Sequence, residues 1–317
     1  MRDGGTKPRR FATVGFLGPP GTFTEEALLD DPELAGAELV SYQTIAEVLR
    51  AADRGETEAA FVPIENSIEG TVPVTLDHLV FESELLIQRE AILDVHLHLL
   101  APAGTSLHDV RRVVSFPHAS AQCRRFLRET LGDAEVVASN STAEAAQLVG
   151  EGRPPHTAAI APMLAGRLYG LEPIAERIED FGDNQTRFLL VAQRSVPPPS
   201  GHDRTSIVCF QHADHPGSLH EILSHFSARS LNLTKLESRP TKQGLGDYCF
   251  VIDLEGHVAD EVIGDCLMEL HQALAGLKFL GSYPAAGDRG EQMREEASAR
   301  RKDAEAWLAA LRQLTDP

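Results

Sequence analysis

The chain has 317 residues, 42% of them apolar, which is enough material for two or three packed domains with real cores. Its formal charge of −18 argues against a nucleic-acid partner, whose phosphates need a basic face, and requires any anionic substrate to find a local positive pocket. The charged first ten residues lead into no signal-peptide core and no apolar run approaches membrane-spanning length, so a cytoplasmic protein without a membrane partner is expected.

In chain order, residues 12–17 (ATVGFL) predict a buried strand and 18–24 (GPPGTFT) a turn into a helix beginning near Thr22. Thr22 and Glu25 have the spacing of a capping box. The same Gly-rich strand-to-helix turn can offer backbone N–H groups to a small anion. It lacks both the G-K-[ST] and the G-x-G-x-x-G of nucleotide loops, so no nucleotide is expected. A strand at 38–42, a helix at 45–54 and a strand at 58–63 continue an α/β alternation, in which ligands bind beyond the carboxyl ends of a largely parallel sheet. Residues 62–72 (VPIENSIEGTV) occupy such an end, with two carboxylates, an amide and two hydroxyls, although Asn66 and Ser67 serve equally as turn and cap residues.

A helix around 76–81 precedes the apolar stretch 85–100, where His96 and His98 alternate on one face of an expected strand. No third ligand is near in sequence, so a polar strand face is expected and no metal. Strand 110–115 leads to a single helix, 117–130, that presents Gln122. Next come strand 135–139, helix 142–150 opened by Asn140 and Ser141, a proline-containing turn at 153–155, strand 157–161 and helix 163–169, before 172–179 return the chain. The pattern predicts a two-lobed α/β domain at 11–195 with a central cleft. One lobe takes about 11–92 and 175–195, the other about 93–174, and the architecture is that of periplasmic binding proteins. The cysteines, Cys123, Cys209, Cys249 and Cys266, have no C-x-x-C spacing, which fits reduced thiols and no redox or metal role.

Residues 183–191 (DNQTRFLLV) run from polar to apolar without a break, which sets Thr186 and Arg187 at the edge of a buried strand. A hydroxyl donor there adjoins a guanidinium able to clamp a carboxylate. After a Pro-rich linker at 196–203, the pattern becomes βαββαβ over 204–284, a ferredoxin-like module with helices on one face of its sheet. The charged tail, 285–317, holds a possible amphipathic helix with Trp307, Leu308, Leu311 and Leu314 on one face.

Together, GPPGTFT at 18–24, VPIENS at 62–67, Ser115 with Gln122-Cys123, Thr186-Arg187-Phe188 and Glu237-Ser238-Arg239-Pro240 resemble the prephenate dehydratase family with its C-terminal ACT regulatory domain. The resemblance runs in order from about Thr13 to Pro284. It implies loss of water and carbon dioxide from prephenate to give phenylpyruvate on the way to phenylalanine, without cofactor or metal. It also implies Thr186 as the catalytic hydroxyl, with Arg187 and Phe188 completing its motif. Glu65, Asn66, Ser67, Ser115 and Gln122 would line the cleft, with Thr22 and Thr71 as further substrate contacts. Two departures stand out: many members have a histidine where this chain has Phe116, and some have a glutamate where it has Asn140.

For the effector, the Gly217 turn can bring N–H groups to an amino-acid carboxylate, and Leu219 offers an apolar contact. The resemblance makes that effector phenylalanine, bound between Pro216, Gly217, Ser218, Leu219 and Glu237, Ser238, Arg239 at a subunit interface, with ACT domains pairing into a dimer or tetramer. Two alternatives remain at this point: a solute-binding protein of the same architecture, and dehydration of arogenate, the amino analogue.

Overall fold

The computed structural model describes residues 11–34, 36–152, 155–212, 215–242, 244, 247–286 and 306–307. The first lobe is built on a six-stranded sheet in the order β2 (Glu38–Tyr42), β1 (Thr13–Leu17), β3 (Ala59–Asn66), β11 (Gln185–Ala192), β5 (Leu86–Asp94), with the two-residue β4 (Gly70–Thr71) paired to β3. β1 runs parallel to both β2 and β3. Its helices are α1 (Phe23–Asp30), α2 (Ile45–Asp53) and α3 (Pro73–Phe81). Each of the first two starts on a threonine cap: Thr22 Oγ1 accepts from Glu25 N, and Thr44 makes a full capping box with Glu47. In α1 the Glu25 carboxylate reaches one residue further than expected and takes the N–H of Gly21.

The second lobe is a five-stranded sheet in the order β10 (Glu172–Ala175), β6 (His98–Ala101), β9 (Thr157–Ala161), β7 (Arg112–Ser115), β8 (Glu135–Ala138). Helices α4 (Pro117–Gln122), α5 (Arg124–Thr130), α6 (Thr142–Gly150) and α7 (Met163–Tyr169) cover it. One apolar cluster joins Leu97, Leu99, Val113, Leu127 and Ile160, and another joins Leu100, Val114, Ala146 and Val149. β9 is buried at all five residues, as expected of a central strand covered on both faces. The lobes meet where Gly21, at φ +90°, lies so close to α7 that a Cβ there would sit 3.2 Å from Ala165 Cα. Tyr169 Oη also donates to Pro20 O.

Several expectations needed correction. The strand expected at 58–63 continues through Ile64 to Asn66, so Glu65 and Asn66 belong to the end of β3, with Glu65 opposite Thr71 and Asn66 opposite Gly70 in β4. α3 begins at Pro73 rather than near 76, because proline fits a first helical position. The 85–100 stretch is not one strand: it breaks at 95–97, where the chain crosses between lobes and Val95 N bonds Asn184 O. His96 and His98 therefore have different partners, His96 Nδ1 pairing with Glu179 and His98 Nδ1 accepting from Arg177 N. The single helix expected at 117–130 divides at Cys123. Asp180 causes the division, since its carboxylate accepts from Arg125 N at the start of α5 and its own N–H bonds Gln122 O. The turn at 153–155 falls partly outside the described residues, and of the tail only 285–286 and 306–307 are described, the latter pair as helix.

Among the described residues, those up to 78 with 92–189 cluster as one compact unit, and 79–91 with those from 190 onward as a second. The second is built on an antiparallel sheet ordered β13 (Leu233–Pro240), β14 (Tyr248–Glu255), β12 (Asp203–Phe210), β15 (Gly276–Pro284), with α8 (Ser218–Ser227) and α9 (Glu261–Ala273), the expected βαββαβ module. Ile207, Ile252, Phe250, Ile222, Phe226, Ile263 and Leu270 form its core between sheet and helices. Residues 79–91 are held in this unit by Lys278 Nζ, which donates to Ser83 O at 2.6 Å and Val80 O at 3.3 Å, and by Arg204 paired with Glu90 at 2.6 Å. Gly281 is required there, because a Cβ would lie 2.7 Å from Ile87 O and 2.9 Å from Ile87 N. Among the described residues no helix is long and apolar enough to cross a membrane, and no group of three or more His, Cys, Asp or Glu could hold a metal ion.

Candidate active site

The lobes enclose a cleft of about 1310 Å³. β3 and β11 lie side by side in the first lobe and bring Asn66 and Thr186 to its wall, α4 brings Gln122 from the second lobe, and the turn before α1 brings Thr22. Asn66 Nδ2 donates to Thr186 Oγ1 at 2.9 Å and to Asn184 Oδ1 at 2.8 Å. Asn184 Nδ2 donates to Gln122 Oε1 at 3.0 Å, Gln122 Nε2 lies 3.4 Å from Glu69 Oε1, and Glu69 Oε2 pairs with His118 Nδ1 at 3.1 Å. The wall is thus one chain of polar side chains that begins in the first lobe and ends in the second.

Thr186 already accepts a hydrogen bond from the Asn66 amide, and no acceptor for its own proton is found among the described residues. A hydroxyl in that position directs its proton toward whatever occupies the cleft. An amide cannot take a proton from it, so the arrangement suits a donor and not a nucleophile, which would need a base in place of Asn66.

Other residues expected at the site lie elsewhere. Ser115 is fully buried and its hydroxyl donates to Ile160 O at 2.7 Å, a structural bond between β7 and β9. Phe188 is in the core, stacked on Phe61 at 5.2 Å between ring centroids. The Arg187 side chain is 12% exposed, pairs with Glu65 at 3.8 Å and does not line the cleft. Ser67 accepts from Gln185 N at 2.9 Å and so braces the start of β11, while Thr71 lies in β4 opposite Glu65.

The structure adds Glu69, His118, Asn184, Asn140 and Ser141 to the lining. Phe116 lines it too and stacks on His118 at 5.3 Å, so the imidazole absent at 116 is present two residues later. A lone His or Asn carries little signal in sequence, and only the folding of 118, 140 and 184 to one wall reveals them.

Among the described residues, no lysine or arginine lines the cleft. Positive potential comes instead from helix starts: α1 at Thr22 and Phe23, α2 at Thr44–Ala46 and α6 at Ser141 and Thr142 all open on it. Ser141 Oγ caps Glu144 N, and Glu144 in turn holds the Asn140 backbone and side-chain amides. On α1, burial pushes the Glu26 carboxyl above its usual range, with Asp30 adding to the effect and Arg167 and His96 opposing it. All four cysteines are buried and none is in a disulfide, and burial raises the Cys209 thiol to about 12, with Cys123 and Cys266 also raised. Thiols held this way are poor nucleophiles.

In the C-terminal module, Gly217 takes φ +96° as the residue before α8, and among the described residues no atom lies within 4 Å of where its Cβ would be. Leu219 packs on the module's core. Glu237, Ser238 and Arg239 lie on β13, where Glu237 pairs with Lys235 at 3.3 Å and with Arg239 at 3.9 Å.

Among known proteins, the family model described as prephenate dehydratase matches residues 14–196, and that of the ACT domain matches residues 205–272. A prephenate dehydratase of Amycolatopsis methanolica is 43% identical over 303 residues, covering 94% of this chain and 97% of that protein. The crystal structure of prephenate dehydratase in complex with L-Phe from Arthrobacter aurescens is 40% identical with a TM-score of 0.80, over 95% of this chain and 99% of that one. A structure of GqqA, described as a novel type of quorum quenching acylase, is 32% identical with a TM-score of 0.79, over 87% of this chain and 99% of that one.

Proposed function

Because the chain belongs to the prephenate dehydratase family, we propose that its cleft performs the decarboxylating dehydration of prephenate with Thr186 as the hydrogen-bond donor to the departing hydroxyl. The observation that carries the assignment of Thr186 is the 2.9 Å bond it receives from Asn66 Nδ2, which leaves its proton for the substrate. In prephenate, breaking the bond from the ring to its carboxylate releases CO2 and sends two electrons through the diene to expel the para hydroxyl, leaving an aromatic ring. The leaving oxygen takes up one proton and departs as water. Threonine is too weak an acid to protonate it beforehand, so donation strengthens as charge builds on that oxygen, an effect worth on the order of 10²–10⁴ in rate.

The two substrate carboxylates rest on the starts of α1 and α6. Helix geometry leaves the first N–H groups there without intrahelical acceptors, and the Thr22 and Thr142 hydroxyls stand beside them. Arg187 then acts indirectly, through Glu65, by holding the strand ends that present Thr186 and Asn66. The acylase name of one structural neighbour does not transfer readily, because an acyl-transfer nucleophile needs a base and Thr186 faces an amide.

Function divides at the linker, 196–203, with catalysis before it and regulation after it. L-Phenylalanine binds the module at Gly217 and inhibits, coupling the two sites through its preference for one arrangement of the chain. β13 is an edge strand with a full row of backbone groups, which suits pairing with a second copy and places Glu237 to Arg239 at that interface. The enzyme works in the cytoplasm as a dimer or tetramer.

Turnover of prephenate and of arogenate by the full chain, followed by the absorbance of the aromatic product, tests the assignment. Phenylpyruvate formation with little arogenate turnover is expected, and no product from either would overturn it. For the effector, Gly217→Val places a β-branched residue at φ +96° and is expected to abolish phenylalanine binding in calorimetry while turnover persists. Unchanged inhibition would place the effector elsewhere.

A further inference from the structure

Asn184 stands immediately before β11, is 1% exposed, and has none of the chemistry that would make it a reactant. Its backbone and side chain nevertheless tie the first-lobe side of the polar wall to the second. Its carbonyl receives Val95 N at 2.7 Å, which joins the two segments where the chain crosses between lobes. Its side chain reaches Asn66 in the first lobe and Gln122 in the second.

The direction of these bonds is forced. Asn66 Oδ1 accepts from Ile68 N and Glu69 N, both at 3.0 Å, and backbone N–H groups can only donate. The Asn66 amide nitrogen must therefore face Asn184 and Thr186. Asn184 is then obliged to accept with Oδ1 and to donate with Nδ2, which turns the Gln122 oxygen toward it and leaves the Gln122 nitrogen for Glu69 and the cleft.

We propose that Asn184 is a positioning residue that passes the hydrogen-bond polarity set at Asn66 to Gln122, so that both lobes present donors, the Thr186 hydroxyl and the Gln122 amide, to the same substrate. The proposal rests on the dehydratase reading of the cleft. Asn184 touches no substrate in this scheme. It acts through Asn66 and Gln122, and its loss is felt in kcat more than in KM because the donors it aligns are used as charge develops.

Asn184→Asp tests this with almost no change of shape. An ionised carboxylate can still accept from Asn66 but cannot donate to Gln122, whereas a protonated carboxyl can do both. Burial at this 1% exposed position raises the pKa of the introduced group. The other charged groups near the wall are His118 paired with Glu69, Glu65 paired with Arg187, Asp180 at the Gln122 carbonyl and Asp94 on Gln185; all are present in the parent, whose own pH profile is the reference.

The expected result is a kcat lower by about 10–100-fold at pH 8, KM within about threefold of the parent, and recovery of kcat relative to the parent as pH falls through the new pKa. A parent-like kcat at pH 8, or a deficit independent of pH, would overturn the proposal. Should that variant not fold, Gln122→Met decides: kcat lower by about tenfold or more with KM kept supports it, and parent-like kcat overturns it. If the parent itself fails to turn over prephenate, the dehydratase reading falls instead, a result distinguishable from either.

Discussion

Two networks of side-chain hydrogen bonds run through this molecule, one in the C-terminal module and one in the cleft, and they end differently. In the module, Ser206 bonds Asp253 and Tyr283, and Thr205 bonds Ser282, all buried and on strands of one sheet, while Thr205 also donates to Gly256 O just past the end of β14. There each hydroxyl is paired inside the module. In the cleft, the bonds through Gln122, Asn184 and Asn66 reach a hydroxyl whose proton has no acceptor among the described residues. A closed network stabilises a fold, because each buried polar group is satisfied. An open one costs little where it meets solvent and is available to a ligand.

The sharpest way to break the contrast is Asn66→Asp. The carboxylate still accepts from Ile68 and Glu69 N–H, but it would now draw the Thr186 proton to itself and away from the cleft. A kcat loss of ~10²–10⁴ with little change in thermal unfolding is expected, and equal losses of both would make the cleft network structural too. Ser206→Ala should do the reverse, lowering stability by ~1–3 kcal/mol in denaturant titration through the lost bonds to Asp253 and Tyr283, with kcat per folded molecule unchanged.

Arg187→Lys separates substrate binding from support. Since Arg187 pairs with Glu65, losing its planar fork should cost about 1 kcal/mol of stability and leave KM near the parent value. A KM many times higher would return Arg187 to the substrate. The smallest effect is expected at Glu26, whose carboxyl is raised by burial. A raised pKa means the folded state holds the proton more tightly than the unfolded chain. Folding free energy is then lost as pH climbs from the unfolded value near 4.5 through the folded one. Glu26→Gln should therefore raise the midpoint of thermal unfolding at pH 7, with the gain shrinking toward pH 4.

Much of this was legible in the sequence where local chemistry decides. α6 and β9 have the bounds expected, one because Ser141 and Glu144 mark a helix start and the other because TAAIA is an uninterrupted buried run. Thr186, Asn66 and Thr22 stand at strand ends and a helix start in the sequence pattern, Gln122 is expected at the cleft only through the family resemblance, and all four line it. What could not be read depends on partners far along the chain. The break at Cys123 is made by Asp180, the divergence of His96 and His98 by Glu179 and Arg177, and the role of Asn184 by Gln122, 62 residues away. Phe188 was assigned with its motif, yet it opens an apolar run whose five last residues are buried, and that run already marked it as core. The grouping of 79–91 with the module was hidden for the same reason, since Lys278 and Arg204 lie nearly two hundred and more than one hundred residues away from their partners.

The central claim is that the Thr186 hydroxyl gives a hydrogen bond to the leaving group. Thr186→Val, which keeps the shape and removes the hydroxyl, measured against the parent and Thr186→Ser in prephenate turnover, tests it most directly. The valine variant should fold normally, bind substrate with KM near the parent and lose ~10²–10⁴ in kcat, while serine retains part of the rate. A folded valine variant that turns over prephenate at close to the parent kcat would contradict it.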